Sequence, residues 1–439
     1  MKIRIFTLIF CISIIFQAKS IFSQSDTLKL QTAIEIALEN NYSIKLINND
    51  LQIANINNSL GNAGFFPKIS LDGSFSNYYN NINQQMYSGE EINYNFENAN
   101  SLSGGIIMNW TVFNGFKMFI EKDKLEKTAE LTEIEIAYQT ENLISEVIFT
   151  YYAIILEKRK YKVLSEANDL SKQRTELTKV KFEIGSDSEL SYLQALVDLN
   201  KDSTELLKQK VQITNRKALL NNLLNRDLTI DFEIEDSIII GEILLYDDLL
   251  QNIKVQNSEI LYSNKNVEIE LINKRLSYTT KYPNIYIFGG YNLNVSNYDY
   301  GTISSNFTHA PVMGIGISYT IFDGMNRKRT ESIAEIQANS AKIEYQQTVK
   351  TIENELFQTY NLYENYFSVL QFEMNNIETV KKNTEIAYEQ YKLGRISDIE
   401  FRQTQIKQIE AENNLLLMFL EVKQLEIELL RLSGSIVGY

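Results

Sequence analysis

Residues that could support catalysis or metal binding are few in this 439-residue sequence. His309 is the only histidine, and Cys11 is the only cysteine. We predict that His309 lies in a loop without a histidine or cysteine partner, so neither a metal site nor a catalytic dyad is expected. The segment Gly314-Ile315-Gly316 alternates as a strand does and lacks the third glycine of a dinucleotide-binding loop. With no phosphate-binding loop and no Gly-x-Ser-x-Gly motif either, we expect no enzyme activity and no cofactor.

The charge balance limits the kinds of partner. The sequence has 42 basic and 56 acidic residues, a net charge of −14, and no run of basic residues. Because nucleic-acid-binding proteins carry basic patches, no nucleic-acid partner is expected.

The N-terminal residues have the pattern of an export signal. Two basic residues precede an apolar run from Ile5 to Phe16. Cleavage after Ser20 or after Gln24 fits the pattern, and we predict a signal peptide at residues 1–24. The alternative is a membrane anchor, but the run has 12 residues and a spanning helix needs about 20.

Two long stretches without glycine or proline organise the rest of the chain, Phe116–Ile184 and Met325–Leu393. Each follows an aromatic-Thr-aliphatic-Phe-(Asn/Asp)-Gly segment and ends before another glycine. The bounding glycines are Gly115, Gly185, Gly324 and Gly394. Within each copy they are 70 residues apart, and the copies are 209 residues apart, which indicates an internal duplication. Each stretch of 69 residues would form a helix about 100 Å long.

The duplication gives a predicted domain organisation. The first structural repeat covers 25–226 and the second covers 249–434, joined by a linker at 227–248 and followed by a tail at 435–439. In the first repeat we predict strands at about 68–79 and 102–113, a long helix at 116–184 and a return helix at 188–225. In the second we predict strands at about 284–295 and 311–321, a long helix at 325–393 and a return helix at 397–433. Residues 228–232 are a possible further strand in the linker.

Apolar spacing predicts how the long helices coil. From Tyr345 to Phe367 the apolar residues recur over 22 residues in six turns, which predicts a nearly straight helix. Beyond Phe367 the spacing becomes heptad, so this part should coil with the return helix that follows Gly394. Ser188 and Ser397 supply helix-capping chemistry after the two turns.

The four predicted strands alternate between apolar and polar residues. In one of them Leu102, Ile106 and Trp110 share a face opposite Ser103. Each strand is about 11 residues long, the span of a tilted transmembrane strand, and we predict that the strands cross a membrane. The alternative is a soluble sheet with one wet face. Residues 80–100, rich in Asn and Tyr, are predicted to form a polar loop.

Several short motifs, in this order and at this spacing, resemble one known family. They are the start at Leu30–Asn41, the pairs Phe66-Pro67 and Tyr282-Pro283, the Phe-(Asn/Asp)-Gly joints, and Tyr391-x-x-Gly394-x-x-Ser397. Together they resemble the TolC-like outer membrane factors, the exit ducts of Gram-negative efflux pumps and type I secretion systems. The resemblance covers nearly the whole chain after the signal.

This resemblance implies a mainly α fold with a small transmembrane β part. Three chains would form a homotrimer in which four strands per chain make a twelve-stranded β-barrel and the helical hairpins form an α-barrel across the periplasm. It implies a passive channel in the outer membrane, in contact with outer membrane lipid, that passes small molecules or proteins. Its partners would be a periplasmic adaptor (membrane fusion) protein and an inner-membrane pump. The alternative function is a secreted or surface coiled-coil structural protein without a pore.

The resemblance also implies a gate at the periplasmic tip, built from carboxylates and their partners past the second turn. Glu400, six residues after Gly394, keeps the family's acid, whereas Gln403, nine residues after, does not. Arg395 is a shifted candidate for the basic partner, and Tyr391 is a further candidate gate residue. Three copies of Glu400 would form a ring that binds cations or repels anions. The alternative for Glu400 is a solvated position on the helix surface.

Two further sets of residues have an expected role. Adaptors would dock on the exposed tips of the hairpins, and the candidate contacts are Gly185, Asp187, Gly394 and Ser397. Trp110 and Tyr319 are at equivalent points near strand ends, where aromatic residues of a membrane interface are expected.

Overall fold

The computed structural model describes residues 27–236 and 243–438. The predicted signal peptide, 1–24, is outside the described residues, as are part of the predicted linker and the last residue of the predicted tail. The described helices are α1 (Leu30–Asn40), α2 (Tyr42–Asn57), α3 (Lys117–Glu183), α4 (Glu189–Leu223), α5 (Tyr246–Gln256), α6 (Ser258–Thr279), α7 (Asn326–Lys392) and α8 (Asp398–Leu432). The described strands are β1 (Thr27–Leu28), β2 (Lys68–Gln85), β3 (Glu91–Asn114), β4 (Glu233–Ile234), β5 (Asn284–Tyr298) and β6 (Ser305–Ser318). The fold is mainly α-helical, as predicted.

The length of the two longest helices follows from the absence of glycine and proline in their sequences. Helices α3 and α7 are each 67 residues long and contain neither glycine nor proline. In a helix interior these residues would cost about 1 and about 3 kcal/mol, respectively, relative to alanine. Each helix starts after a glycine in the left-handed region, Gly115 or Gly324, both at φ +69°. The strand before each helix can therefore turn sharply into it.

Strands β2, β3, β5 and β6 form an antiparallel sheet in the order β2-β3-β5-β6. The register pairs Leu71 with Ile106, and Ile106 in turn with Tyr291. Because side chains alternate across a strand, apolar residues gather on one face of the sheet and Ser and Asn on the other. Strands β2 and β6 form the two edges of this sheet.

The prediction of a loop at 80–100 is wrong, because β2 and β3 continue through these residues as a β-hairpin. Its turn lies between Gln85 and Glu91, and a bulge interrupts the ladder between Asn80 and Ile82. Asparagine is depleted in strands, which is why the segment was predicted to be a loop. Cross-strand contacts outweigh that preference, as the stacked rings of Tyr79 and Phe96 illustrate, with centroids 5.3 Å apart.

Other predicted strand bounds also need correction. Strand β6 runs from 305 to 318 rather than from 311 to 321, because it pairs only with β5, whose first residue Asn284 faces Ser318. His309 therefore lies in β6 and not in a loop. The predicted strand at 228–232 is absent from the described residues, since Asp227 accepts hydrogen bonds from the backbone and hydroxyl of Thr229 and forms a turn. The short strand β4 follows it and pairs in parallel with β1.

Packing divides the chain into two units. The first consists of the described parts of Met1–Lys45, Gln139–Ile253 and Glu353–Tyr439. Its core includes Ala33, Ile34, Val147, Ile148, Ile154, Leu220, Leu224 and Ile427. The Tyr151 hydroxyl donates to the carbonyl of Leu28 at 2.7 Å and accepts from the backbone of Glu235 at 3.3 Å, which fixes the β1–β4 pair to this core.

The second unit consists of Leu46–Tyr138 and Lys254–Ile352 and contains the four-stranded sheet. In this unit the Lys265 ammonium on α6 bonds to Glu130 on α3 at 2.8 Å and joins these two helices. Among the described residues, no helix combines the length and the apolar character that a membrane-spanning helix requires.

Candidate functional site

The two hairpin turns in the first unit share one chemistry. Helix α3 turns into α4 at Gly185, and α7 turns into α8 at Gly394, with φ of +74° and +70°. At each turn the residue after the glycine donates to a carbonyl five residues back, which completes a Schellman motif. Among the described residues, apart from each glycine's own neighbours in the chain, no atom lies within 4 Å of a Cβ added at Gly185 or Gly394.

Serines begin the return helices after these turns. The Ser188 hydroxyl accepts from the Ser191 backbone at 3.1 Å, and Asp187 accepts from the Ser188 backbone at 2.7 Å. Ser397 caps α8 in a capping box with Glu400. Each turn thus continues at once into a capped helix, and the tip remains well defined although it is exposed.

Glu400 is exposed, and its carboxylate is engaged at the start of its own helix. One oxygen accepts from the Ser397 backbone and hydroxyl, both at 2.8 Å. The backbone bond and then the hydroxyl bond lower the pKa of Glu400 below its ordinary value. Arg395 and Gln403 are also exposed. Within the described residues no hydrogen bond joins Glu400 to either of them, so a single chain does not bring this predicted set together.

Tyr391, in contrast, is buried between the two hairpins. Its ring stacks on Phe401 of α8, with centroids 5.2 Å apart and planes 5° apart. Lys181 of α3 lies 4.3 Å from the ring centroid and donates to the Tyr391 carbonyl at 3.1 Å. The Tyr391 hydroxyl lies 3.4 Å from that of Thr178, which donates to the backbone carbonyl of Arg174. Burial raises the pKa of Tyr391 to about 12.

A buried arginine lies next to this tyrosine. Arg174 of α3 is 2% exposed and makes a two-pronged contact with Asp398, in which Nε donates to Oδ1 at 2.6 Å and Nη2 donates to Oδ2. Its Nη1 donates to Asp198 of α4 at 2.8 Å. Burial works to lower the pKa of Arg174, but the bonds to the two aspartates outweigh it and leave the pKa above its ordinary value. Asp398 is the first residue of α8, where the helix dipole also favours a negative charge.

A second arginine extends the network. Arg402 of α8 donates from Nη1 and Nη2 to the two oxygens of Asp202, both at 2.8 Å, and its Nε lies 3.5 Å from Asp198. The order of charges is therefore Asp398, Arg174, Asp198, Arg402, Asp202, and we call these five residues the hairpin charge network. It connects α3 and α4 of the first hairpin to α8 of the second.

The hairpin charge network could not be predicted from the sequence. Its members come from three helices, and spacing along one helix cannot show which residue of another helix they face. One usable signal was the departure from the duplication. At a spacing of 209, Arg174 corresponds to Asn383 and Arg402 to Leu193, so neither arginine is repeated in the other copy.

A groove of about 570 Å³ lies over the hairpin charge network, between α4 and α8. Its floor contains Arg174 and Asp398, whereas its sides include exposed apolar residues. These are Leu190 at 63%, Leu193 at 47%, Val197 at 67% and Ile399 at 58% exposed. Gln403 lines the same groove. Within the described ranges, no group of three or more His, Asp and Glu side chains is placed to hold a metal ion.

The two predicted interface aromatics are in the second unit and are both partly exposed. The Trp110 indole N–H donates to the carbonyl of Phe65 at 2.9 Å, and the Tyr319 ring lies 5.8 Å from the Arg327 guanidinium. Both are close to the glycine joints between strand and helix.

Comparisons with known proteins bear on this architecture. The model of a family described as outer membrane efflux protein matches residues 33–226 and 249–435. The search of curated proteins found no match. The fold is similar to that of the CmeC outer membrane channel of Campylobacter jejuni, at 17% identity and a TM-score of 0.75, covering 92% of this chain and 85% of that one.

Two more solved structures are similar. The outer membrane protein VceC from Vibrio cholerae is 14% identical with a TM-score of 0.74, covering 92% of this chain and 96% of that one. The open state of the MtrE outer membrane channel of Neisseria gonorrhoeae is 14% identical with a TM-score of 0.69, covering 93% and 89%. Because the family model matches well over half of the chain, the chain belongs to the outer membrane efflux protein family.

Proposed function

We propose that three copies of this outer membrane efflux protein form a passive exit duct. The strands of three chains close into a twelve-stranded barrel, and the helical hairpins extend into the periplasm as a tunnel. An inner-membrane pump supplies the energy and delivers small molecules or proteins through a periplasmic adaptor. Family membership favours this function over the alternative of a coiled-coil structural protein.

The observation that carries the proposal is the exposed apolar face of the sheet. Ile69 is 67%, Leu71 80%, Ile315 72% and Ile317 71% exposed in the single chain. Lipid would cover such a face, while the open edges of β2 and β6 need strand partners to satisfy their backbone groups in a membrane. Further copies of the same sheet meet both needs.

The opposite face of the sheet suits a water-filled bore. On it, Ser101 and Ser103 donate to the side-chain oxygen of Asn294 at 3.1 and 3.0 Å. The Asp72 carboxylate on the same face accepts from the Ser70 hydroxyl at 3.0 Å, and a face of hydroxyl, amide and carboxylate groups is readily hydrated. This face therefore supports passage of varied cargo.

The hairpin ends are the proposed gate. Separating the second hairpin from the first breaks the Arg174–Asp398 pair and the cation–π contact of Lys181 with Tyr391, so both contacts favour the closed tip. Glu400 is exposed beside them, and three copies would form the proposed ring, with Arg395 and Gln403 nearby in the sequence.

The open turns are the proposed adaptor contacts. The candidate contacts are Gly185, Asp187, Gly394 and Ser397. In the part of the chain that the structure describes, no residue beyond the adjoining ones lies within 4 Å of a Cβ built on either glycine, which leaves room for a partner.

Fractionation combined with conductance tests the proposed function. The protein should be recovered from the outer membrane as a trimer that resists detergent extraction, and it should conduct ions in planar bilayers. Deleting its gene should increase the accumulation of drugs in the cell or abolish secretion, and the intact gene should restore efflux or secretion. Recovery in the soluble or extracellular fraction without conductance would instead support the structural protein.

A further inference from the structure

The strand-to-helix joint of the first repeat is covered by the second repeat of the same chain. A Cβ added at Gly115 would collide with the carbonyl of Thr279 and lie 2.9 Å from Tyr282 Cβ. The Tyr282 ring packs edge-on against Phe113 and Phe116, with centroids 6.5 and 6.4 Å away. Strand β5, which starts just after Tyr282, pairs with β3 throughout this region. We call this arrangement the intrachain seam.

The equivalent joint of the second repeat is uncovered. Within the described ranges, no residue beyond its chain neighbours lies within 4 Å of a Cβ added at Gly324, and Phe322 and Met325 are 73% and 60% exposed. Residues 319–322 are not in a strand, although their counterparts Trp110–Phe113 belong to β3. The difference follows from pairing, because β3 has β5 beside it and β6 is an edge.

The duplication identifies the strand that fits this edge. Strand β2 repeats β5 at a spacing of 216, with Pro67 for Pro283, Ile69 for Ile285 and Gly73 for Gly289. Strand β6 repeats β3 at a spacing of 209. The β2–β3 and β5–β6 strand pairs have the same register, since Lys68 faces Asn109 and its counterpart Asn284 faces Ser318. The contact of β3 with β5 can therefore be transferred to β6 of one copy and β2 of the next.

We infer that β6 pairs antiparallel with β2 of a neighbouring copy in the register of the intrachain seam, so that Asp323 faces Lys68 of the neighbouring copy. This inference rests on the proposed trimer and specifies its seam. In the intrachain seam the corresponding residues are Asn114 and Asn284, which face each other. The same transfer places Tyr319 opposite Leu71 of the neighbouring copy, with both on the apolar face of the sheet.

The charge of Asp323 supports this pairing. Its carboxylate accepts from the Arg327 backbone at 2.8 Å, and Asn114 accepts from the Met118 backbone at 3.2 Å in the same way. An amide therefore suffices for that helix cap, and the negative charge is left for another role. Lys68 is exposed at the free edge and carries the opposite charge.

An ion pair in one seam and an amide pair in the other make the two seams chemically distinct. If β6 were shifted by two residues along β2 of the neighbouring copy, the apolar face would still point outward. Asp323 would then lie opposite Ser70, away from Lys68 and nearer Asp72. The pair thus selects one register among those that the apolar pattern allows. Opposite charges also favour the encounter of two different edges over that of two identical ones.

Cysteine cross-linking tests the register. Opposed residues in antiparallel strands have Cα atoms about 4.5–5.5 Å apart, within the range that a disulfide spans. In a Cys11→Ser background, chains carrying both Lys68→Cys and Asp323→Cys should form covalent dimers and trimers under oxidation. Either single variant should stay monomeric under denaturing conditions, and a mixture of the two should give dimers. The matched control, Asn114→Cys with Asn284→Cys, should cross-link only within a chain.

Exchanging the charges tests the ion pair. Asp323→Lys or Lys68→Asp should reduce the detergent-resistant trimer by about fivefold, and the two together should restore it. Trimers that cross-link at Ser70 rather than at Lys68, or that tolerate all three variants equally, would overturn the inferred seam and leave the proposed duct intact. Absence of any trimer would overturn both.

Discussion

The guanidinium of Arg174 and the carboxylate of Asp398 form a two-pronged ion pair between α3 and α8, although the two residues are 224 positions apart in the chain. Both side chains are almost fully buried, at 2% and 6% exposure. A buried charge pair contributes little net stability compared with an apolar contact, but breaking it by removing one partner is costly. The pair is therefore suited to hold the two hairpins together at this point.

Arg174→Met should destabilise the hairpin ends, because it leaves the carboxylate of Asp398 buried without its cation while keeping the apolar stem. Loss of one partner from a buried pair costs about 3–5 kcal/mol. We expect a lower midpoint of thermal unfolding and a higher single-channel conductance in bilayers.

The matched control for Arg174→Met is Lys172→Ala on the same helix. Lys172 pairs with Asp169 at 2.9 Å, but both are more than half exposed, and such pairs contribute about 0–1 kcal/mol. If Arg174→Met behaves as Lys172→Ala does in both measurements, the hairpin charge network does not hold the tip closed.

Glu400→Gln and Glu400→Ala should separate the two roles of Glu400. Glutamine can complete the capping box with Ser397, whereas alanine cannot. If three copies form a charged ring, both variants should lose block by multivalent cations, and only the alanine variant should also loosen the start of α8. The measurements are cation block in bilayers and amide hydrogen exchange at Ser397–Phe401.

Glu410→Gln is the control, because Glu410 is exposed on the same helix but lies further from the turn. Unchanged cation block in Glu400→Gln would restrict Glu400 to capping its own helix.

The helical hairpins could be predicted from the sequence, but the contacts of the hairpin charge network could not. The absence of glycine and proline between Gly115 and Gly185 is a local property, and it sets the helix length directly. Arg174 and Asp398 are in contact because the two helical hairpins pack together, and the residues next to them in the sequence do not indicate this contact. The same holds for strand ends: the alternation of β6 continues past Ser318, but Ser318 pairs with the first residue of β5, and the ladder between the two strands ends there.

Gly394→Ala should destabilise the second turn, because φ of +70° strains any residue with a Cβ, by about 1–2 kcal/mol. Gly394→Asn is the matched control, since asparagine tolerates this conformation better. We expect the midpoint of thermal unfolding to fall more for alanine than for asparagine. Equal midpoints would mean that the turn relaxes to another backbone conformation.

Tyr391→Phe should alter the alkaline stability of the protein. The pKa of Tyr391 is raised from 10.0 to about 12 by burial, so the folded state holds the phenol proton more tightly than the unfolded state. The resulting stabilisation is complete below pH 10 and is lost as the pH rises through about 12. In urea unfolding, the wild-type midpoint should therefore decline between these pH values more steeply than that of Tyr391→Phe.

Tyr87→Phe is the control for this measurement, because Tyr87 is fully exposed in the turn between β2 and β3. Its midpoint should follow the wild type at every pH, so that ionisation of lysines and other tyrosines cancels in the comparison. A Tyr391→Phe curve parallel to both would mean that the Tyr391 phenol ionises as readily in the folded protein as in the unfolded one. In that case burial between the hairpins would not hold the phenol proton of Tyr391 in the folded state.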